Sequence, residues 1–66
     1  MRVVANGDDV DLPEGSSLLD LLDALGLGAK WVVAEVNGAA VDRRSMAEVG
    51  LREGDRVELV RAVAGG

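Results

Sequence analysis

Cysteine and histidine are both absent from this sequence, proline occurs once, and Trp31 is the only aromatic residue. Without cysteine there can be no disulfide framework, thiolate metal site or cysteine nucleophile. Without histidine the chain lacks the one side chain that titrates near neutrality unperturbed, and with it the commonest general base and metal ligand. Bases are also scarce: seven Lys and Arg face twelve Asp and Glu, a net charge of −5 at pH 7. That balance argues against nucleic acid as a partner, since a phosphate backbone requires clustered positive charge. Apolar runs stop at three or four residues, as in Trp31-Val32-Val33-Ala34, so no segment is expected to cross or enter a membrane. The opening Met1-Arg2-Val3-Val4-Ala5 is broken by Asn6-Gly7-Asp8-Asp9, too soon for a secretory signal. A cytoplasmic protein is expected, and hardly a self-sufficient enzyme.

What is present suits a small folded domain. Of the 66 residues, 48% are hydrophobic and 29% charged, a globular composition. There is room for one core, and folding at this length buries only about 60% of the surface of the unfolded chain.

Val3, Val4 and Ala5, then Asn6-Gly7, then Val10 and Leu12 alternating with acids, predict a hairpin whose turn uses two residues that tolerate positive φ. Pro13-Glu14-Gly15 ends the second strand. Ser17 with Asp20 approximates a capping box, with Asp in place of the usual Glu or Gln. Leu18, Leu21, Leu22 and Leu25 recur at helical spacing as a core-facing stripe, and Gly26 is the expected left-handed cap. After a loop, Trp31 to Val36 is expected to be a strand with Val32, Ala34 and Val36 inward and Val33 and Glu35 outward. Trp31 is expected to pack at the helix–sheet edge. Asn37-Gly38 is a second hairpin turn, leading into a short segment that ends at Val41. Asp42-Arg43-Arg44-Ser45 is expected as a polar connection, Met46 to Val49 as one helical turn, and Leu51 as an anchor. Glu53-Gly54-Asp55 is a tight turn before the last strand, Arg56 to Val60. Residues 1–60 are then one domain, and 61–66 a flexible tail ending in Gly65-Gly66. The order ββαβββ describes a small α+β roll, a mixed sheet covered on one face by a single helix.

The pieces Val3 through Asn6-Gly7, Leu12-Pro13-Glu14-Gly15, Ser17, Leu21-Leu22…Leu25-Gly26, Val36-Asn37-Gly38, Leu51 through Val60 and the final Gly65-Gly66 together resemble a known family. It is that of the small sulfur carrier proteins of the ubiquitin-like superfamily, most closely the ThiS carriers of thiamine biosynthesis. Each piece is common alone; the order, spacing and total length carry the resemblance. Asp42 stands where the family commonly has proline, and Ala64 where many members have a third glycine. The resemblance implies the β-grasp fold, with four to five strands, and a protein cosubstrate rather than an enzyme. It implies that an E1-like adenylating enzyme of the ThiF type activates the Gly66 carboxylate with ATP, no cofactor being bound by the chain itself. Sulfur from a donor such as a cysteine desulfurase then replaces AMP as a thiocarboxylate, for delivery to a ThiG-type thiazole synthase. A carrier of another pathway, such as the small subunit of molybdopterin synthase, or a ubiquitin-like protein modifier would share the fold and the end.

The chemistry of the end agrees. A carboxylate is a poor acyl donor and takes up sulfur only after activation. Gly65 and Gly66 offer no side chain to obstruct a narrow, water-excluding site, and adopt whatever backbone geometry it demands. On the sheet's open face, Val4 and Val60, with Arg61, Ala62 and Val63 after them, are candidates for partner docking, although isolated exposed valines are ordinary. Arg56 and Arg61 are solvated strand charges or steer the chain onto acidic partners. Asp8, Asp9 and Asp11 lack the pattern of a cation-binding loop and are read as solvated acids, with no metal expected.

Overall fold

The computed structural model describes residues 1–61. Five strands form one sheet: β1 (Arg2–Ala5), β2 (Asp8–Asp11), β3 (Val32–Val36), β4 (Ala39–Val41) and β5 (Arg56–Arg61). The order across the sheet is β2-β1-β5-β3-β4. β1 and β5 run parallel, with Val4 opposite Arg56 and Ala5 opposite Val57, and the remaining pairs are antiparallel. This is the mixed sheet of the β-grasp fold, with the last strand inserted at the centre. Helix α1 (Leu18–Ala24) covers one face.

Both hairpin turns form as their residues dictate. Asn6 and Gly7 take φ of 50° and 85°, Asn37 and Gly38 51° and 86°, the doubly positive geometry that Asn-Gly adopts most readily. Each asparagine then clasps β5. Asn6 Oδ1 accepts from the Leu59 N–H at 2.8 Å and its Nδ2 donates to the Leu59 carbonyl at 3.1 Å. Asn37 Oδ1 accepts from the Arg56 N–H at 2.9 Å. The side chains therefore extend the pairing of the central strand past the ends of its neighbours. Asn6→Ala is expected to lower stability by about 1–3 kcal/mol, because part-buried backbone groups of Leu59 lose their partners. Asn6→Gly keeps the turn but not the clasp, so chemical denaturation should show only partial recovery; full recovery would assign the residue to the turn alone.

The helix start also follows the sequence. Ser17 Oγ accepts from the Asp20 N–H at 3.1 Å, and the Ser17 N–H donates to Asp20 Oδ2 at 2.8 Å, so aspartate closes the box. Leu18, Leu21 and Leu22 are fully buried against Val3, Ala34, Met46, Val57 and Leu59. An antiparallel bridge ties the helix entry to the segment before β5, with Leu18 N–H donating to Val49 O at 2.8 Å and Leu51 N–H to Ser16 O at 2.9 Å. Leu51 is the anchor expected of it.

Four expectations are corrected. Leu25 does not join the core: α1 ends at Ala24, and Leu25 is the cap residue, 41% exposed. Gly26, at φ 72°, donates to Asp23 O, and Leu27 N–H donates to Leu22 O at 2.8 Å. This paired termination turns the chain so that Leu27, not Leu25, packs on the core. Trp31 is neither in a strand nor a buried anchor. Ala29–Trp31 form a 3₁₀ turn, the Val32 N–H bonds back to Ala29 O, and the strand begins only at Val32. Arg43-Arg44-Ser45 are not an irregular connection. A 3₁₀ segment spans Arg43–Glu48, capped by Asp42, whose Oδ1 accepts from the Arg44 N–H at 2.9 Å. Asp42 thus supplies a cap. Arg61, placed by sequence at the start of the tail, is the last residue of β5, opposite Val32.

Candidate functional site

Alternation along the strands separates the sheet into two chemical faces. Val3, Ala5, Val32, Ala34, Val57 and Leu59 point toward α1 and are buried. The opposite face carries Val4, Val33, Glu35, Arg56, Glu58 and Val60. On it Val33 lies directly across from Val60, and Glu35 from Glu58.

Val33 is 55% and Val60 63% exposed. As cross-strand partners they form one continuous apolar spot rather than two isolated valines. Val4 shares the face but not the spot. It is half-buried, opposite Asp9 on β2 and Arg56 on β5. Arg56 and Val60 are four positions apart on β5, roughly 13 Å at strand rise.

The Val33–Val60 spot sits at the end of the sheet where β5 finishes. The 49%-exposed Trp31 stands at the same end, with the Lys30 Nζ 5.2 Å above its ring centroid. A groove of about 270 Å³ between Gly26, Leu27, Gly28, Trp31, Val32 and Arg61 runs beside it, and the exposed Leu25 immediately precedes that groove. Among the described residues, three of the four large exposed apolar side chains (Trp31, Val33 and Val60) therefore stand at the end where the chain leaves the sheet, while the fourth, Leu25, caps α1. Such clustering on a monomeric surface marks an interaction site.

Of the residues singled out by sequence, Val60 and Arg61 stand at this end and Val4 stands away from it. Ala62, Val63, Gly65 and Gly66 lie outside the described residues. Val33 was read only as outward-facing and Trp31 as a packing residue. The signal for Val33 was available: an apolar side chain at the outward position of an alternating strand.

At the opposite edge the same alternation sets Asp8 on one face of β2 and Asp9 and Asp11 on the other. Asp9 faces Val4 and Asp11 faces Arg2, with Asp8 between strand and turn opposite Ala5. Among the described residues no three acids converge as a cation site. Arg2 Nε donates to Asp11 Oδ1 at 3.0 Å. That hydrogen bond first, and the charge of Arg2 second, hold the Asp11 carboxyl below the usual carboxylate range; the same bond first, and the charge of Asp11 second, raise the Arg2 guanidinium above its own. The ionised carboxylate thus favours the folded state above the ordinary carboxylate range, and the contribution is lost as acid protonates the group. Both side chains are exposed, so the effect is small. Asp11→Asn is expected to melt slightly below wild type at neutral pH, the gap closing in acid. A gap that persists below the carboxylate range would contradict the ion pair as its cause.

Comparison with known proteins agrees with the fold. A family model described as "ThiS family" matches residues 1–66. A crystal structure of a thiamine biosynthesis protein (ThiS) from Geobacter metallireducens superposes with a TM-score of 0.83 at 29% identity, over 100% of both chains. A solution NMR structure of a thiamine biosynthesis protein from that organism gives 0.79 at 32% identity, over 100% of this chain and 88% of that one. Two curated relatives are thiazole synthases, from Paramagnetospirillum magneticum at 32% identity and Magnetococcus marinus at 35%, each over 66 residues. Those 66 residues are all of this chain and 20% of either synthase, so the chain spans about a fifth of the curated relatives it matches. With the β-grasp sheet, the helix and the family match all extending over the same residues, the chain belongs to the ThiS family.

Proposed function

We propose that this chain is a sulfur carrier of thiamine biosynthesis whose working group is the carboxylate of Gly66. The observation that carries the proposal is the gathering of Trp31, Val33 and Val60 at the end of β5. A protein whose reactive group follows that strand must be held by its partners next to it, and the apolar surface stands there. Membership of the ThiS family supports the chemistry that follows.

An E1-like, ThiF-type enzyme joins the Gly66 carboxylate to the AMP of ATP, releasing pyrophosphate. Persulfide sulfur from a donor such as a cysteine desulfurase attacks the acyl adenylate, forming the C–S bond and expelling AMP, and a thiol reductant then cleaves the S–S bond of the resulting acyl disulfide to leave a thiocarboxylate. The acceptor is a thiazole synthase, in keeping with the thiazole synthases that contain a homologous region. The chain is the cosubstrate of these enzymes: ATP is bound by the activating enzyme, and the Gly65 backbone lets the end enter a narrow site. This role requires a free carboxylate at Gly66. It is a cytoplasmic role, and among the described residues no helix is long and apolar enough to cross a membrane.

The test is pyrophosphate exchange into ATP by a purified ThiF-type enzyme, with and without the chain. Exchange that depends on the chain, and fails when Gly66 is removed, is the expected result. Exchange that survives loss of Gly66 would contradict the assignment.

A further inference from the structure

We infer that the corner formed by Lys30, Arg43 and Arg44 beside the Val33–Val60 pair is a docking surface for an acidic protein surface, one whose carboxylates flank an apolar contact. β4 pairs with β3 only from Ala34 to Val36, which leaves the first half of β3 uncovered on that side. An open groove of about 570 Å³ lies there, floored by Val32, Val33 and Val41 and walled by Lys30, Arg43 and Arg44. The walls are brought together from separate elements. Lys30 belongs to the 3₁₀ turn before β3 and Arg43 and Arg44 to the one after β4, and Arg43 Nη1 donates to the Lys30 carbonyl at 3.4 Å.

The charge of this corner is opposite to that of the chain. With Arg61 on the neighbouring groove, it holds four of the seven bases of a protein of net charge −5. Asp42 stands against Arg44 at 3.6 Å, but that carboxylate is committed to the cap and both side chains are open to water. Among the described residues no ion pair involves Lys30 or Arg43. Positive charge left uncompensated around an apolar floor is complementary to a partner that brings carboxylates around an apolar group. An acidic protein approached by such a partner would otherwise be repelled, so the corner also fixes which end of the chain arrives first. The inference rests on the carrier role proposed above: the partner is the enzyme that receives the residues beyond Arg61.

The experiment measures association and dissociation of the chain with a purified ThiF-type adenylating enzyme across a range of salt concentrations. Arg43→Glu/Arg44→Glu is compared with Arg52→Glu/Arg56→Glu, a charge-matched pair at the other end of β5. Lys30→Glu/Arg44→Glu repeats the test with Arg43 left in its hydrogen bond, and circular dichroism confirms that each variant is folded. The corner variants should associate about tenfold more slowly at low salt with little change in dissociation, the deficit shrinking as salt rises. The Arg52/Arg56 control should stay near wild type. Equal effects of the two sites, or none at the corner, overturn the inference while leaving the carrier role intact. No binding by wild type overturns both. Displacement of the enzyme by inorganic pyrophosphate at the corner would make it a small-anion site and overturn the docking assignment.

Discussion

Removal of Gly65 and Gly66 is expected to abolish sulfur loading while leaving the melting temperature within experimental scatter of wild type. The two halves of that result follow from different parts of the molecule. The described core runs from Val3 to Leu59, and the last strand is held by β1, β3 and the two asparagine clasps, all before residue 62. That network lies within the described residues. The proposed chemistry, by contrast, places the sulfur on the diglycine end, because no cysteine is present to hold it as a persulfide. A truncated chain that melts much lower would show the diglycine to be structural. One that still carries sulfur would move the carrier site elsewhere.

Leu22→Ala is expected to leave a large part of the chain unfolded at 37 °C. Leu22 is fully buried beneath the sheet, and its carbonyl also accepts the Leu27 N–H that terminates the helix. Truncating a buried leucine to alanine removes about 2–5 kcal/mol. A core in a chain of this size supplies only about 3–5 kcal/mol of net stability. The helix has seven residues, too few to persist without the leucines that attach it to the sheet. The matched substitution Leu25→Ala should be nearly neutral, since Leu25 is already 41% exposed. Thermal melts of the two variants side by side check the assignment of core and surface; equal losses would refute it.

The elements that residues specify locally could be read from sequence. Asn-Gly at 6–7 and 37–38, the Ser17–Asp20 box and Gly26 each fix a backbone conformation within a few residues, and each is found as expected. The inward alternation of β3 and β5 was equally legible, because period two is a property of one strand. What failed depends on where neighbouring pieces end. Leu25 fits the helical stripe, yet the reversal at Gly26 substitutes Leu27. Trp31 looks like a strand residue until the 3₁₀ bond from Val32 to Ala29 delays the strand. Asp42 reads as part of a polar linker, although its carboxylate organises the segment that follows.

For the site the division is similar. The proposed role of Gly66 comes from chemistry and resemblance, and Val33 is recognisable in the sequence as an outward apolar residue. That Val33 and Val60 are cross-strand partners requires the β3–β5 register. The basic corner needs two 3₁₀ segments brought together over the β3–β4 edge, and no spacing along the chain foretells it.

The central claim is that Gly66 carries sulfur as a thiocarboxylate. Intact mass spectrometry after incubation with a ThiF-type enzyme, ATP and a sulfur donor tests it most directly. The predicted result is a mass gain equal to exchanging one oxygen for sulfur, located by fragmentation at Gly66 and absent without ATP. An unchanged mass under conditions that load a control carrier, or sulfur found at any other residue, would contradict it.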